Sequence, residues 1–487
     1  MLEDDILLGI FHFYRLADET WNVGLGWCKL SHVCRRWRHL IHSSAFHLGM
    51  HILCTNGSPI VDTLDHLPPL PLFIDFLDER DKAPSNPWRP RVVRNEDESG
   101  IYHALRLRDR VRRIQLCVSP STLDRSLRVM DKPLPILEYL SLSGDKITSL
   151  TLPKTFLVPN LRHLDLLGIR LPKRLRLLTS TLSLVTLKLT NIQASGYFRP
   201  RLLVARLESL TQLEDLSIGF SIPIPRPGTE RLLLGKQGVP VVLSNLKSLT
   251  FRGVSAYLER LISQIRAPVL RKLNITLFNQ LAFTLTHLSQ FVNNTEQINF
   301  PRTAIIEFIP GTYITLSQFK KSHPAYWNQG LTLYVMCKPL DWQIDCAAQI
   351  CGALMSALSG IESLTLIKSS SILSLAISSN SETNETDNMT YGAVWHELLR
   401  SFVKVKELHI DPDLTVDLSR ALEVDEIGLD PGLLPDLREL VSDYGGRHAD
   451  SMFGSFIRAR HVLGRPVLLR LLTPPPLFDP PSPRSPS

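Results

Sequence analysis

The chain has 487 residues, a formal net charge of +7, 44% hydrophobic and 21% charged residues, which is ample for a packed core and excludes a wholly disordered chain. Leucine fills 85 positions against 25 for glycine, pointing to a leucine repeat or an all-helical protein and away from glycine-rich nucleotide-binding sheets. No apolar run approaches the roughly 20 residues of a membrane span, and the opening Met1-Leu-Glu-Asp-Asp is acidic where an export signal or organellar presequence is basic.

The seven cysteines, at 28, 34, 54, 117, 337, 346 and 351, are odd in number and form neither a disulfide framework nor a zinc pattern. Cys28, His32 and Cys34 lie close together without a second ligand pair, so they read as small side chains on a helix and not as a metal site. The expected setting is a reducing cytoplasm or nucleus, with no membrane, metal or cofactor.

The first 45 residues carry helical periodicity. Ile6, Leu7, Ile10, Phe11 and Tyr14 recur at spacings of three and four, and Glu3, Asp4 and Asp5 complement the positive end of the helix dipole. After Gly24 and Gly26, a second apolar stripe runs through Leu30, Val33, Cys34, Trp37, Leu40 and Ile41 within Trp27 to Ser43, with Lys29, Arg35, Arg36, Arg38 and His39 on the other face. Two such short helices cannot cover their stripes alone and need the rest of the chain or a partner. The helical module is assigned to residues 1–48. Residues 49–110, broken by Pro59, Pro68, Pro69, Pro71, Pro84, Pro87 and Pro90, read as a junction with one or two strands, one of them within Leu70 to Leu77.

From residue 111 the pattern L-x-x-L-x-L appears, a short strand whose alternate residues enter a core. It fits at Val111/Ile114/Leu116, Leu137/Leu140/Leu142, Leu161/Leu164/Leu166, Leu184/Leu187/Leu189, Leu213/Leu216/Ile218, Leu246/Leu249/Phe251 and Leu270/Leu273/Ile275. Starts from 111 to 270 are 26, 24, 23, 29, 33 and 24 residues apart, close to the roughly 20 to 29 of leucine-rich repeats. Ile361/Leu364/Leu366 and Val405/Leu408/Ile410 continue it, with weaker fits at Ile298/Phe300, Leu331/Leu333 and Leu437/Leu440. Helical stretches such as Tyr257 to Ile265 and Leu281 to Val292 lie between the strands. The expected architecture is α/β: a helical module followed by an irregular repeat solenoid over 111–472, an arc or horseshoe. The Ser/Thr/Asn-rich segment 369–390 reads as an unfolded insertion, and 473–487 as a disordered Pro-rich tail.

Two N-terminal strings carry a resemblance. Leu2-Glu-Asp-Asp-Ile-Leu-Leu-Gly-Ile-Phe11 resembles the opening of an F-box, and Leu30-Ser-His-Val-Cys-Arg-Arg-Trp-Arg-His-Leu40 resembles its second half, with Val-Cys-Arg-x-Trp the most distinctive part. Together with Leu53-Cys-Thr-Asn-Gly-Ser-Pro-Ile and Leu67-Pro-Pro-Leu-Pro-Leu-Phe-Ile, residues 2 to about 80 are similar to F-box proteins of mushroom-forming (basidiomycete) fungi. The chain departs from that pattern with Glu3 in place of the usual proline, a longer loop over residues 15–26, and repeats that lack the regular Asn or Cys after the strand.

The resemblance implies a substrate-recognition adaptor of a Skp/cullin/F-box ubiquitin ligase. Its N-terminal helices dock a Skp-type linker, and through it a cullin, while the repeats hold a target protein. Carried over, the linker-facing residues are Leu2, Ile6, Ile10, Phe11, Leu30, Val33, Trp37 and Leu40, with Trp37 either a partner anchor or packed within its own chain. Target contacts are expected among residues between the repeat leucines: Tyr139, Ser141, His163, Asp165, Thr186, Lys188, Asp215, Ser217, Thr250, Lys272 and Asn274.

Three other readings compete with the adaptor. An enzyme is not expected: Gly235-Lys236 is followed by Gln237 where a phosphate loop needs Ser or Thr, and no Gly-x-Ser-x-Gly or His-Glu-x-x-His string occurs. Nucleic-acid binding rests only on basic runs at Arg106, Arg108, Arg110, Arg112 and Arg113 and at Lys173, Arg174 and Arg176, which read as solvated faces. The remaining alternative is a repeat-protein interaction scaffold without ligase association.

Overall fold

The computed structural model describes residues 2–17, 26–44, 48–55, 57, 60–66, 69–77, 95–144, 150–171, 176–223, 239–280, 282–298, 301–309, 311–317, 330–337, 340–368, 385–422, 433–443 and 452–472. The chain divides into two compact units: Met1–Ile224 with Val241–Leu246, and Pro225–Pro240 with Lys247–Ser487.

The first unit opens with three helices, Asp4–Ala17 (α1), Gly26–Ser31 (α2) and Arg35–Ser43 (α3). The second apolar stripe, read as one run from Trp27 to Ser43, is therefore broken. Cys34 is extended (φ −158, ψ 169) and its thiol accepts the Trp37 N–H at 3.4 Å, so it caps a new helix. Arg38 Nε donates to the Ser31 carbonyl at 3.0 Å, using an acceptor that the end of α2 leaves open.

A parallel sheet follows, with strands in the order Ile52–Thr55 (β1), Leu72–Leu77 (β2), Val111–Cys117 (β3), Tyr139–Ser143 (β4), His163–Leu167 (β5), Thr186–Ile192 (β6) and Asp215–Phe220 (β7). Every neighbouring pair is parallel. The stretch 49–110, expected to be a junction, thus supplies the first two strands of the sheet, because Ile52, Cys54, Leu72, Ile74 and Phe76 alternate into the same core as the repeat leucines.

Register explains why leucine dominates. Ile114, Leu140, Leu164, Leu187 and Leu216 form one row across the sheet, and Leu116, Leu142, Leu166, Leu189 and Ile218 another, all buried. Each side chain packs on its equivalents in the next repeat, which is how a quasi-one-dimensional stack closes its core. The first leucine of the motif precedes the strand and closes a turn. Leu137, Leu161 and Leu213 donate their N–H to the carbonyl three residues earlier, at 3.4, 3.2 and 3.1 Å. The next residue then joins the preceding repeat, as Glu138 N–H does with Arg112 O at 2.9 Å and Arg162 N–H with Glu138 O at 2.8 Å. Helices such as Asn95–Arg106 and Pro120–Val129 bury Ile101, Leu105, Leu123 and Leu127 beside these strands. A two-residue strand, Val241–Val242 (β8), completes this unit's strands among the described residues.

The second unit keeps the same buried alternation but not the same topology. Its strands are Ser248–Gly253 (β9), Ile265–Arg266 (β10), Lys272–Phe278 (β11), Thr303–Ile309 (β12), Gly311–Ser317 (β13), Gly330–Met336 (β14), Ser363–Lys368 (β15), Glu407–Ile410 (β16), Glu439–Asp443 (β17) and Leu468–Leu472 (β18). In the sheet they run β9-β11-β14-β13-β12-β15-β16-β17-β18, and β13 is antiparallel to both of its neighbours. Two glycines permit this reversal. Gly311 (φ +137) and Gly330 (φ +105) occupy backbone regions essentially closed to other residues, and a Cβ on Gly330 would lie 2.3 Å from the Leu316 carbonyl oxygen.

The weak fit at Ile298/Phe300 is corrected here. Ile298 is buried in the turn before the strand and Phe300 lies outside the described residues, while the buried positions of β12 are Thr303, Ala304, Ile306 and Phe308, preceded by buried Pro301. Ala304 and Ile306 pair with Leu364 and Leu366 of β15. The helical stretches expected at Tyr257 to Ile265 and Leu281 to Val292 appear as Ser255–Ile262 and Thr286–Asn293, with Leu281 outside the described residues.

The insertion read as unfolded over 369–390 is also corrected in part: 369–384 lie outside the described residues, but a helix runs Glu385–Arg400, anchored by the fully buried Trp395, Leu398 and Leu399. The tail 473–487 lies outside the described residues. Among the described residues no helix is long and apolar enough to cross a membrane.

Candidate functional site

Two surfaces of the first unit stand out, one apolar on the helices and one polar on the strands. In α1, Leu7 and Phe11 are buried while Ile6, Ile10 and Phe13 are 49%, 45% and 73% exposed. The exposed three recur at i, i+4 and i+7, which sets them on one helix face; Leu2, just before the helix, is 52% exposed. Val33, in the break between α2 and α3, is also exposed.

The inward side of α1 is fastened to α3. The Phe11 and Trp37 rings meet edge to face at 4.8 Å. Arg36 reaches the start of α1, with Nη2 donating to the Leu2 carbonyl and to Asp4 Oδ1, both at 2.6 Å, and Nε to the same carboxylate oxygen at 3.0 Å.

This geometry splits the linker-facing set read from sequence. Leu2, Ile6, Ile10 and Val33 are open to a partner. Phe11, Leu30 and Leu40 are not: all three are buried within the chain, because they close the helices on one another and on the adjoining core. Trp37 is half-buried against Phe11 and so belongs to the internal packing as well as the surface. Phe13 was missed, although its spacing from Ile6 and Ile10 is the signal that finds it.

The second surface is the alternate face of β2 to β7. Pairing aligns Phe73, Arg113, Tyr139, His163, Thr186 and Asp215 in one row, and Gln115, Ser141, Asp165, Lys188 and Ser217 in the next. The rows are internally connected. His51 stacks on Phe73 at 3.9 Å, the Arg113 guanidinium lies 4.3 Å over the Tyr139 ring, and Tyr139 and His163 rings are 5.9 Å apart. His163 Nδ1 and Thr186 Oγ1 are 3.1 Å apart, Arg113 Nη2 donates to Gln115 Oε1 at 2.8 Å, and Lys188 Nζ is 4.0 Å from Asp215 Oδ2.

The electrostatics are mixed. Burial, with the charges of Arg162 and Arg113, pushes His163 below the ordinary imidazole value. His51 is also pushed down, chiefly by burial, with Arg113 and Arg112 adding to the effect against a hydrogen bond to the Gly49 carbonyl. Burial pushes the Asp165 carboxyl up; Lys188 opposes that and Asp215 adds to it.

Of the residues expected to meet a target, Tyr139, Ser141, His163, Asp165, Thr186, Lys188 and Asp215 share this half-exposed face, and Ser217 in the same row is buried. Lys272, Thr250 and Asn274 belong to the second unit. There Lys272 pairs with Ser248 and Gly330, and Asn274 with Thr250 and Thr332. Sequence reading overlooked Arg113, Gln115, Phe73 and His51, although Arg113 and Gln115 occupy the same in-between positions of a repeat as Tyr139 and Ser141. It also missed the stacked pair Tyr313 and Tyr334, with ring centroids 4.2 Å apart on β13 and β14.

The basic run 106–113 is largely engaged within the chain. Arg108 donates to Val129 O and Asp131, Arg110 to Leu70 O, and Arg112 is 2.9 Å from Glu138 Oε1. Lys173 and Arg174 of the second run lie outside the described residues.

No family model matches the chain, and no curated protein is similar to it. Among solved structures, a chain of the crystal structure of a TLR13–ssRNA13 complex is similar at 11% identity and a TM-score of 0.29, over 86% of this chain and 48% of that one. This chain thus spans about half the length of that neighbour.

Proposed function

We propose that the chain is a non-catalytic substrate-recognition adaptor of a Skp/cullin/F-box ubiquitin ligase. The Skp-type linker docks on Leu2, Ile6, Ile10, Phe13 and Val33, and a target protein on the strand face around Arg113, Tyr139, His163, Asp165, Lys188 and Asp215. The observation that carries the reading is the open apolar face of α1, on a helix whose other side is already closed by Leu7, Phe11 and Trp37. Covering a side chain such as Ile10 or Phe13 is worth about 1.5–3 kcal/mol, so a partner that covers several gains ample binding energy. The F-box-like strings of the sequence name the kind of partner.

Trp37→Ala is a poor probe, since it removes an internal contact together with a surface one. Ile6→Glu and Ile10→Glu change only exposed positions. The purified chain is expected to coelute with a Skp-type linker in size-exclusion chromatography, and each substitution to weaken that association at least about tenfold, one lost apolar contact of about 1.4 kcal/mol or more, with thermal melting unchanged. If the wild-type chain does not associate with the linker, the ligase reading is wrong and a scaffold outside the ligase takes its place.

A further inference from the structure

We propose that the strand face around Arg252, Tyr334, Tyr313 and Glu307 in the second unit docks an extended segment of a partner protein. That segment carries an acidic residue and, about six residues away, a basic one, with an aromatic or aliphatic side chain between them. Pairing sets Arg252, Thr276, Tyr334, Tyr313, Glu307 and Ile367 in one row across β9, β11, β14, β13, β12 and β15. The middle of the row is an aromatic platform. The Tyr334 and Tyr313 rings stack with centroids 4.2 Å apart and 28° between their planes. Gly311 leaves the space that the Tyr334 ring fills, since a Cβ there would collide with it.

The two ends of the row carry opposite charges. Arg252 is exposed, with its guanidinium 5.6 Å from the centre of the Phe278 ring and Nη2 3.8 Å from Met336 Sδ. Its fork is thus supported before a ligand arrives, and no carboxylate pairs with it among the described residues. A guanidinium laid on an aromatic ring keeps its N–H groups available to a carboxylate. Glu307 lies opposite Tyr313, with Ile305 and Ile309 on the same face of β12 and Ile367 across from it on β15. It is half-buried and has no cation paired with it among the described residues. A carboxylate among aliphatic side chains is poorly hydrated, so an arriving ammonium or guanidinium is attracted strongly.

The spacing follows from the sheet. In the order β9-β11-β14-β13-β12, four strand spacings separate Arg252 from Glu307. At about 4.8 Å each they span roughly 19 Å, the length of about six extended residues. A nucleic-acid strand fits less well. Arg252 is the one cation in this row and in the next, which holds Thr250, Asn274, Thr332, Thr315, Ile305 and Thr365, whereas phosphates call for a basic tract. The surface shares no residue with α1 or with the strand face of the first unit, and it stands whether the chain is a ligase adaptor or a scaffold.

The test uses the full chain without any linker protein. A display library of random dodecapeptides is passed over the Arg252→Glu/Glu307→Lys double variant, which removes peptides that bind elsewhere, and is then selected on the wild-type chain. Enriched peptides are expected to carry an acid and a base about six residues apart around an aromatic or aliphatic residue. Alanine at either peptide charge should weaken binding to the wild-type chain at least about tenfold. Arg252→Glu should weaken it likewise, and lysine in place of the peptide acid should restore binding to that variant. No enrichment, enrichment without this charge pattern, or binding indifferent to both peptide charges would overturn the proposal. Arg252-dependent binding of a labelled oligothymidylate, with no peptide enriched, would overturn it in favour of nucleic acid. The peptide substitutions decide the matter on the wild-type chain even where a variant does not fold.

Discussion

In α1 the side chains of Ile6, Ile10 and Phe13 stand in solvent, whereas from β3 to β7 the repeat leucines are buried and the residues between them are polar or aromatic. The two regions draw on the same aliphatic residues and present opposite surfaces. A strand stack covers each repeat with the next, so its apolar rows are satisfied internally and its outer rows are left for selectivity. Two or three short helices have too few neighbours for that: one side of α1 closes on α3, and the other remains apolar and open. A contact built on the helices would be broad and strong, and one built on the strand face would depend on matching Arg113, Tyr139, His163 and the Asp165/Lys188/Asp215 charges.

Substitutions that treat the two regions alike should give very different results. Leu164→Ala, in the buried row of β5, is expected to cost about 2–5 kcal/mol of unfolding free energy in a denaturant titration. Gly330→Ala comes next. The added Cβ meets the Leu316 carbonyl and the backbone sits at φ +105, so a loss of about 1–3 kcal/mol or more is expected, with the second unit melting earlier. Ile6→Ala should change stability by less than about 0.5 kcal/mol, the ordinary range for a surface position. A cost for Ile6→Ala comparable to that of Leu164→Ala would mean that α1 is covered by its own chain and would dissolve the contrast.

The smallest effect concerns pH. His51 and His163 are pushed below the usual value of 6.5, so the unfolded chain takes up their protons more readily than the folded one. The stability tied to them is complete above pH 6.5 and is lost as the pH falls from there through the lower folded-state values. Melting temperature should therefore drop on acidification from about pH 7.5 to about pH 5.5, the range in which imidazoles titrate. His51→Gln should drop less, and an equal drop in both proteins would remove His51 from the explanation.

Much of the strand stack was legible in the sequence. The L-x-x-L-x-L spacing falls on β3 to β7 and on β9, β11, β15, β16 and β17, since a strand with one face in a core must alternate and a stack must repeat. Strand β12 was misplaced because Pro301 and Ala304 stand where the motif has leucines. The reversal at β13 was not legible either: Ile314 and Leu316 alternate with Tyr313 and Thr315, and alternation carries no direction. The break at Cys34 escaped notice because a thiol is an uncommon helix cap. In α1 both Ile6/Ile10 and Leu7/Phe11 are apolar, so periodicity alone gave no way to tell the open side from the closed one.

Amide hydrogen exchange of the chain with and without a Skp-type linker tests the central claim most directly. Slowed exchange is expected over residues 4–14 and 30–37, around Ile6, Ile10, Phe13 and Val33, with β3 to β7 unchanged. Protection confined to the strand face, or none in α1, would contradict it.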